Sequence, residues 1–114
     1  MANTTEYRSS SVTAGSWEPH LEEGLKAGQV HWLRQEGEGV PMAGLWRVSP
    51  EEGAAIAYRV TGSDTFHVIE GEAELETPDG DRIELVTGGI YSFPDGFTAT
   101  WRTKSSFLKF FVIG

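Results

Sequence analysis

The stretch DTFHVIEGEAELETPDGDRIELVTGGIYSFPDGFTATW, residues 64–101, decides how the rest of this chain is read. Its middle alternates strictly. EAELE at 72–76 puts Ala73 and Leu75 on one face and three glutamates on the other, an outward face read as solvated surface. Residues 81–86 return with Ile83 and Leu85 inward and Arg82 and Glu84 outward. Between them Thr77-Pro78-Asp79-Gly80 is a turn, since proline presets φ and glycine accepts a positive one. TFHVIE at 65–70 is apolar on both faces, which predicts a buried strand ended by Gly71. Thr87-Gly88-Gly89 turns the chain again, IYSF at 90–93 is a short strand, and Pro94-Asp95-Gly96 is a tight corner before FTATWRT at 97–103.

Outward from this centre the same grammar continues. MAGLWRV at 42–48, AAIAYRV at 54–60 and FLKFFVI at 107–113 read as strands, as does QVHWLRQ at 29–35; EGEGVP at 36–41 reads as a turn or loop. Pro19, Gly24 and Gly28 break up residues 17–28, where at most one helical turn at 20–26 is expected. Residues 1–16 are small and polar and read as a loosely held arm, a candidate to order against a partner subunit. The expected organisation is an N-terminal arm and irregular segment at 1–28 and a single barrel at 29–114. About nine short strands with glycine-rich turns at near-regular spacing point to an all-β sandwich or barrel.

Composition narrows the function classes. A chain of 114 residues with 39% hydrophobic residues, four Trp, six Phe and three Tyr can bury one core. Nine basic residues against seventeen acidic give a formal charge of −8, which repels phosphate backbones and argues against nucleic-acid binding. No apolar run approaches the roughly 20 residues of a membrane helix, and the N-terminus lacks the pattern of a signal peptide, so a cytoplasmic location is expected. With no cysteine there is no disulfide framework, thiolate ligand or cysteine nucleophile. Phosphate-binding loops, nucleophile elbows and zinc spacings are also absent.

Several residues carry a resemblance to a known family. Asp64 precedes Gly71 by six intervening residues. Gly88, Pro94 and Gly96 stand at the spacing Gly, five residues, Pro, one residue, Gly, and sixteen residues separate Gly71 from Gly88. In these features, and in LWRVSP, FPDGFTATW and FLKFF, residues 44–114 resemble the cupins, RmlC-like double-stranded β-helix (jelly-roll) barrels. The likeness is greater to short single-domain members related to the ureidoglycine aminohydrolase and ethanolamine-utilisation groups. The resemblance implies a metal held by two histidines one residue apart, an acidic residue and a later histidine. Here the first two positions hold Tyr58 and Val60, or Ala57 and Arg59; Ala99 stands at the last, and Thr103 replaces the motif's closing asparagine. Asp64 alone remains. One carboxylate cannot supply the three or four donors that a transition ion needs, so neither a metal nor another cofactor is expected.

The three histidines do not replace the missing ligands. His20 lies in the irregular segment, His31 is on the first strand, and His67 should point away from Asp64, Phe66 and Val68; all three read as solvent-facing or interface residues. At the barrel mouth the resemblance places Asp64 as an acid–base group with Lys109 as its cation. Trp46, Tyr58, Phe66, Ala99 and Trp101 form the candidate ligand pocket. Each has a competing reading. Asp64 could cap the Gly62-Ser63 bend, Lys109 could face solvent, Tyr58 could point outward, and both tryptophans could be plain core.

Two functions follow: a metal-independent enzyme acting on a small polar metabolite, or a non-catalytic ligand-binding or accessory barrel. A metal enzyme with unusual ligands is the third. Apolar outward surface on TFHVIE and FLKFFVI, together with a first strand able to extend a partner's sheet, points to a homodimer.

Overall fold

Nearly every alternating or β-branched run between glycine turns becomes a strand. In a computed structural model, which describes residues 7–35 and 41–114, the strands are β1 (Glu18–Glu22), β2 (Leu25–Arg34), β3 (Met42–Val48), β4 (Ile56–Arg59) and β5 (Ser63–Glu70). They continue with β6 (Ala73–Glu76), β7 (Arg82–Leu85), β8 (Ile90–Pro94), β9 (Thr98–Thr103) and β10 (Phe107–Ile113). The turn expected at 36–41 lies almost wholly outside the described residues. All pairings are antiparallel. Six strands form one sheet in the order β1-β2-β3-β10-β5-β8, and four form a second in the order β4-β9-β6-β7. The two sheets make an all-β jelly roll. Trp101, Phe66, Leu75, Leu85 and Val68 are the largest fully buried side chains of its core.

Gly71 ends β5 for a steric reason. Its φ is 89°, and a Cβ there would collide with the Ser106 carbonyl oxygen, so the chain must turn on glycine.

Three expectations are corrected. Residues 17–28 are not irregular. Glu23 and Gly24, with φ of 52° and 81°, close a hairpin between β1 and β2, as a two-residue turn with both central residues at positive φ does. Glutamate is an unusual residue in that conformation, which hides the turn in the sequence. Pro19 is tolerated because β1 is the edge of its sheet.

Second, β5 is not apolar on both faces. Asp64, Phe66 and Val68 are buried while Thr65, His67 and Glu70 are exposed. Third, Glu74 is buried although it points away from the core. Its strand is interior to the small sheet, with Arg102 opposite it on β9 and Glu84 opposite it on β7, and Arg82 reaches it at 3.3 Å. The described part of the N-terminal arm is almost wholly exposed and meets its own sheet at His31. Ser10 and the Ser16 carbonyl each meet a nitrogen of His31 at 2.7 Å.

Candidate functional site

Strands β3, β5 and β10 of the large sheet and β4 and β9 of the small sheet bring one cluster of polar groups and rings together. On β10 the buried residues alternate as Phe107, Lys109 and Phe111, so the inward row carries a lysine at its centre. Lys109 is opposite Trp46 on β3 and Val68 on β5 and is 6% exposed. The solvent-facing reading of this residue does not hold. Asp64 enters from the start of β5, also 6% exposed. It does not cap the Gly62 bend; Asp95 does, accepting from the Gly62 amide at 2.9 Å. Tyr58 comes from β4 in the other sheet and donates its phenolic hydrogen to Asp64 Oδ2 at 2.5 Å, which ties the two sheets together.

The Lys109 ammonium is 3.7 Å from the same Oδ2, an ion-pair distance rather than a hydrogen bond. Its remaining surroundings are rings. Phe66 lies 4.2 Å from Nζ, Trp101 4.8 Å, Trp46 5.0 Å and Tyr58 5.5 Å, all centroid distances. These rings are themselves fixed. Trp46 and Trp101 meet edge to face at 5.1 Å, Trp46 donates its indole hydrogen to the Ala27 carbonyl, and Trp101 donates to Thr103 Oγ1. Asp64 Oδ1 is buried with no hydrogen-bond partner among the described residues.

Burial outweighs pairing at Lys109. At an effective dielectric near 20, attraction across this distance is worth roughly 4 kcal/mol, while desolvation costs several kcal/mol per ion. Loss of water therefore pulls the ammonium below its ordinary pKa, opposed by the Asp64 charge and more weakly by Glu22. Tyr58 moves the other way. Burial, then the Asp64 charge and hydrogen bond, push its pKa far above the usual phenol value, so it stays a protonated donor.

The groups open onto a cavity of about 130 Å³. Asp64, Lys109, Tyr58, Trp46 and Trp101 line it; Phe66 lies beneath the ammonium instead, and Ala99 sits against the core opposite Tyr58 without reaching the cavity wall. Sequence reading missed the rim. His20 and Glu22 on β1, 2.8 Å apart, face the cavity while Leu21 between them is exposed. The alternation of those three residues was the available signal, masked by the turn-forming residues around it. His67, as expected, is exposed and points away from the site.

The residues do not fit the metal that the barrel type implies. Among the described residues no three His, Cys, Asp or Glu side chains gather as a ligand set. The one acidic residue at a ligand position already accepts from a phenol and faces an ammonium. A lysine cation beside that carboxylate would repel a second cation.

Comparison with known proteins places this geometry in context. The model of the EutQ-like cupin domain matches residues 35–111. A protein of unknown function from Rhizobium leguminosarum is similar at 27% identity and a TM-score of 0.60, over 75% of this chain and 80% of that one. A putative ethanolamine utilization protein Q from Salmonella typhimurium is similar at 18% identity and a TM-score of 0.64, over 85% and 92%. Fe(II)-HppE, solved with an alternative substrate, shares the fold at 13% identity and a TM-score of 0.68; the match covers 87% of this chain and 55% of that one. No curated protein matches the sequence.

Proposed function

The chain belongs to the EutQ-like cupin family, and on that premise we propose that its barrel mouth binds a small polar metabolite and exchanges protons with it without a metal ion. One observation carries this reading: Asp64 Oδ1, a buried carboxylate oxygen with no partner among the described residues, beside a cavity that Asp64 itself lines. Leaving a buried acceptor unpaired costs about 1–3 kcal/mol, a cost that a ligand hydroxyl or amine donor would recover. Tyr58 supplies a proton donor, Asp64 an acceptor, and Lys109 an ammonium that gives up its proton more readily than an exposed lysine does. The ring walls favour a ligand with a short carbon skeleton.

Binding is tested with a panel of small alcohols, amines and hydroxy acids, followed through the indole N–H resonances. Trp46 and Trp101 should shift together. Trp17 and Trp32, whose indoles bond to the Ala14 carbonyl and to Glu18, should stay still. Asp64→Asn should abolish the shifts in a still-folded protein. A panel that leaves the Trp46 and Trp101 signals unmoved defeats the reading. Its metal-free part falls separately: one stoichiometric Zn, Mn, Fe or Ni per chain in protein purified without a tag would overturn it.

The proposal extends to a homodimer in the cytoplasm; Leu21, Leu25, Val86 and Ile90, large apolar side chains exposed on the single chain, support the dimer. Light scattering at micromolar concentration should give twice the chain mass; a monomer would remove this part.

A further inference from the structure

Lysine 109 is placed as a nucleophile would be, and the rest of the cavity suits a carbonyl compound. We propose that Lys109 condenses reversibly with a small hydroxylated aldehyde to form a protonated imine, with Asp64 moving the protons and Tyr58 holding that carboxylate in place. This deepens the ligand-binding reading above and rests on it.

The geometry supplies each part. Lys109 lines the cavity, and its Nζ lies over rings rather than in water. An amine in such a place is more often unprotonated, and thus more often nucleophilic, than one in solvent. Asp64, 3.7 Å away, has one oxygen held by Tyr58 and the other free to take a proton or accept from a ligand hydroxyl. The Tyr58 hydroxyl belongs to the other sheet, so the amine and the phenol that holds Asp64 reach the cavity from different sheets. The cavity, about 130 Å³, suits a molecule of few carbons.

The step balances without any further reactant. The ammonium passes one proton to the Asp64 carboxylate. Nζ attacks the carbonyl carbon, the C–N bond forms, and the π pair moves to oxygen, which takes that proton from Asp64. The carboxylate then takes a proton from the new secondary ammonium, leaving a neutral carbinolamine. The C–O bond then breaks, the proton held on Asp64 departs with the hydroxyl as water, and the nitrogen lone pair closes the C=N bond. Ammonium and aldehyde have become iminium and water, with Asp64 restored.

The sequence makes the test clean, because Lys26, Lys104 and Lys109 are its only lysines. The full chain is incubated at pH 7 with glycolaldehyde and reduced with cyanoborohydride, and the adducts are mapped by peptide mass spectrometry. Propanal, with the same number of heavy atoms but no hydroxyl, is the comparison probe. The expected result is one hydroxyethyl group per chain on Lys109, formed at least ~10-fold faster than on Lys26 or Lys104, with propanal slower at Lys109 alone. Adducts spread evenly over the three lysines, or none at Lys109, overturn the proposal. Without reductant, glycolaldehyde is also followed at the Trp46 and Trp101 indoles. Shifts there without a Lys109 adduct sink the imine and keep the binding site, whereas neither shift nor adduct counts against both.

Discussion

Lys104 and Lys109 stand five residues apart in one segment of chain, and each is paired with a carboxylate, yet their environments push them in opposite directions. Lys104, on the outer side of the small sheet, meets Glu84 at 3.1 Å in water. That hydrogen bond raises its pKa, helped by the nearby glutamate charges. Lys109 has the longer ion-pair distance and lies inside, where desolvation lowers its pKa despite Asp64. Pairing alone does not make a lysine reactive. Burial decides, because water removed from an ammonium is not replaced by one carboxylate at 3.7 Å and four ring faces.

The largest effect should come from leaving that ammonium without its partner. Asp64→Leu is expected to lose about 3–5 kcal/mol in urea unfolding, as breaking one side of a buried pair does. A midpoint close to wild type would erase the contrast between the two lysines. Removing all three polar groups together, as Tyr58→Phe/Asp64→Leu/Lys109→Met, should restore stability to wild type or exceed it by about 1–4 kcal/mol. The same protein should neither bind the panel nor trap an aldehyde. If the triple variant unfolds as easily as Asp64→Leu, the polar cluster stabilises the barrel and has not been retained against a cost.

Tyr58→Phe alone deletes a hydrogen bond to a charged acceptor and should cost about 1.5–3 kcal/mol by the same measurement. An unchanged midpoint would mean that the bridge between the sheets holds nothing.

A smaller effect is expected from pH. Because Lys109 has a lowered pKa when folded, the unfolded chain binds the extra proton between that lowered value and 10.5. Unfolding free energy should therefore rise with pH across that window, relative to Lys109→Met. Tyr58, raised above 10.0, acts in the opposite sense only above pH 10, where the unfolded chain ionises its phenol first. Paired denaturation series kept below pH 10 isolate the lysine; parallel curves for the two proteins would contradict its burial. The least effect belongs to the surface. Glu84→Gln removes the partner of an exposed lysine and should leave the midpoint unchanged.

The fold was open to reading because β structure writes its faces at every second residue. Ala73, Leu75, Ile83 and Leu85 gave the central hairpin, and Gly71, Gly88, Pro94 and Gly96 gave its corners. Residues 18–28 were not open to it. The Glu23-Gly24 turn uses a residue that rarely adopts left-handed φ, and an edge strand carrying proline looks like a loop until a neighbour pairs with it. His20 and Glu22, which complete the cavity rim, were lost with that hairpin.

Sequence alone showed that Lys109 interrupts an apolar strand and that Asp64 precedes Gly71 by six intervening residues, the spacing by which the resemblance sets it at the acidic position with no histidine at the positions counted from it. It could not say what an isolated lysine among phenylalanines does, because one strand does not specify what stands across from it. Tertiary structure decided that. It brought Asp64 from β5, Tyr58 from the opposite sheet and two tryptophans around one nitrogen, and it left one carboxylate oxygen buried with no partner among the described residues. Which side chains meet is set by the packing of two sheets, and only there does a charged residue acquire the surroundings that fix its chemistry.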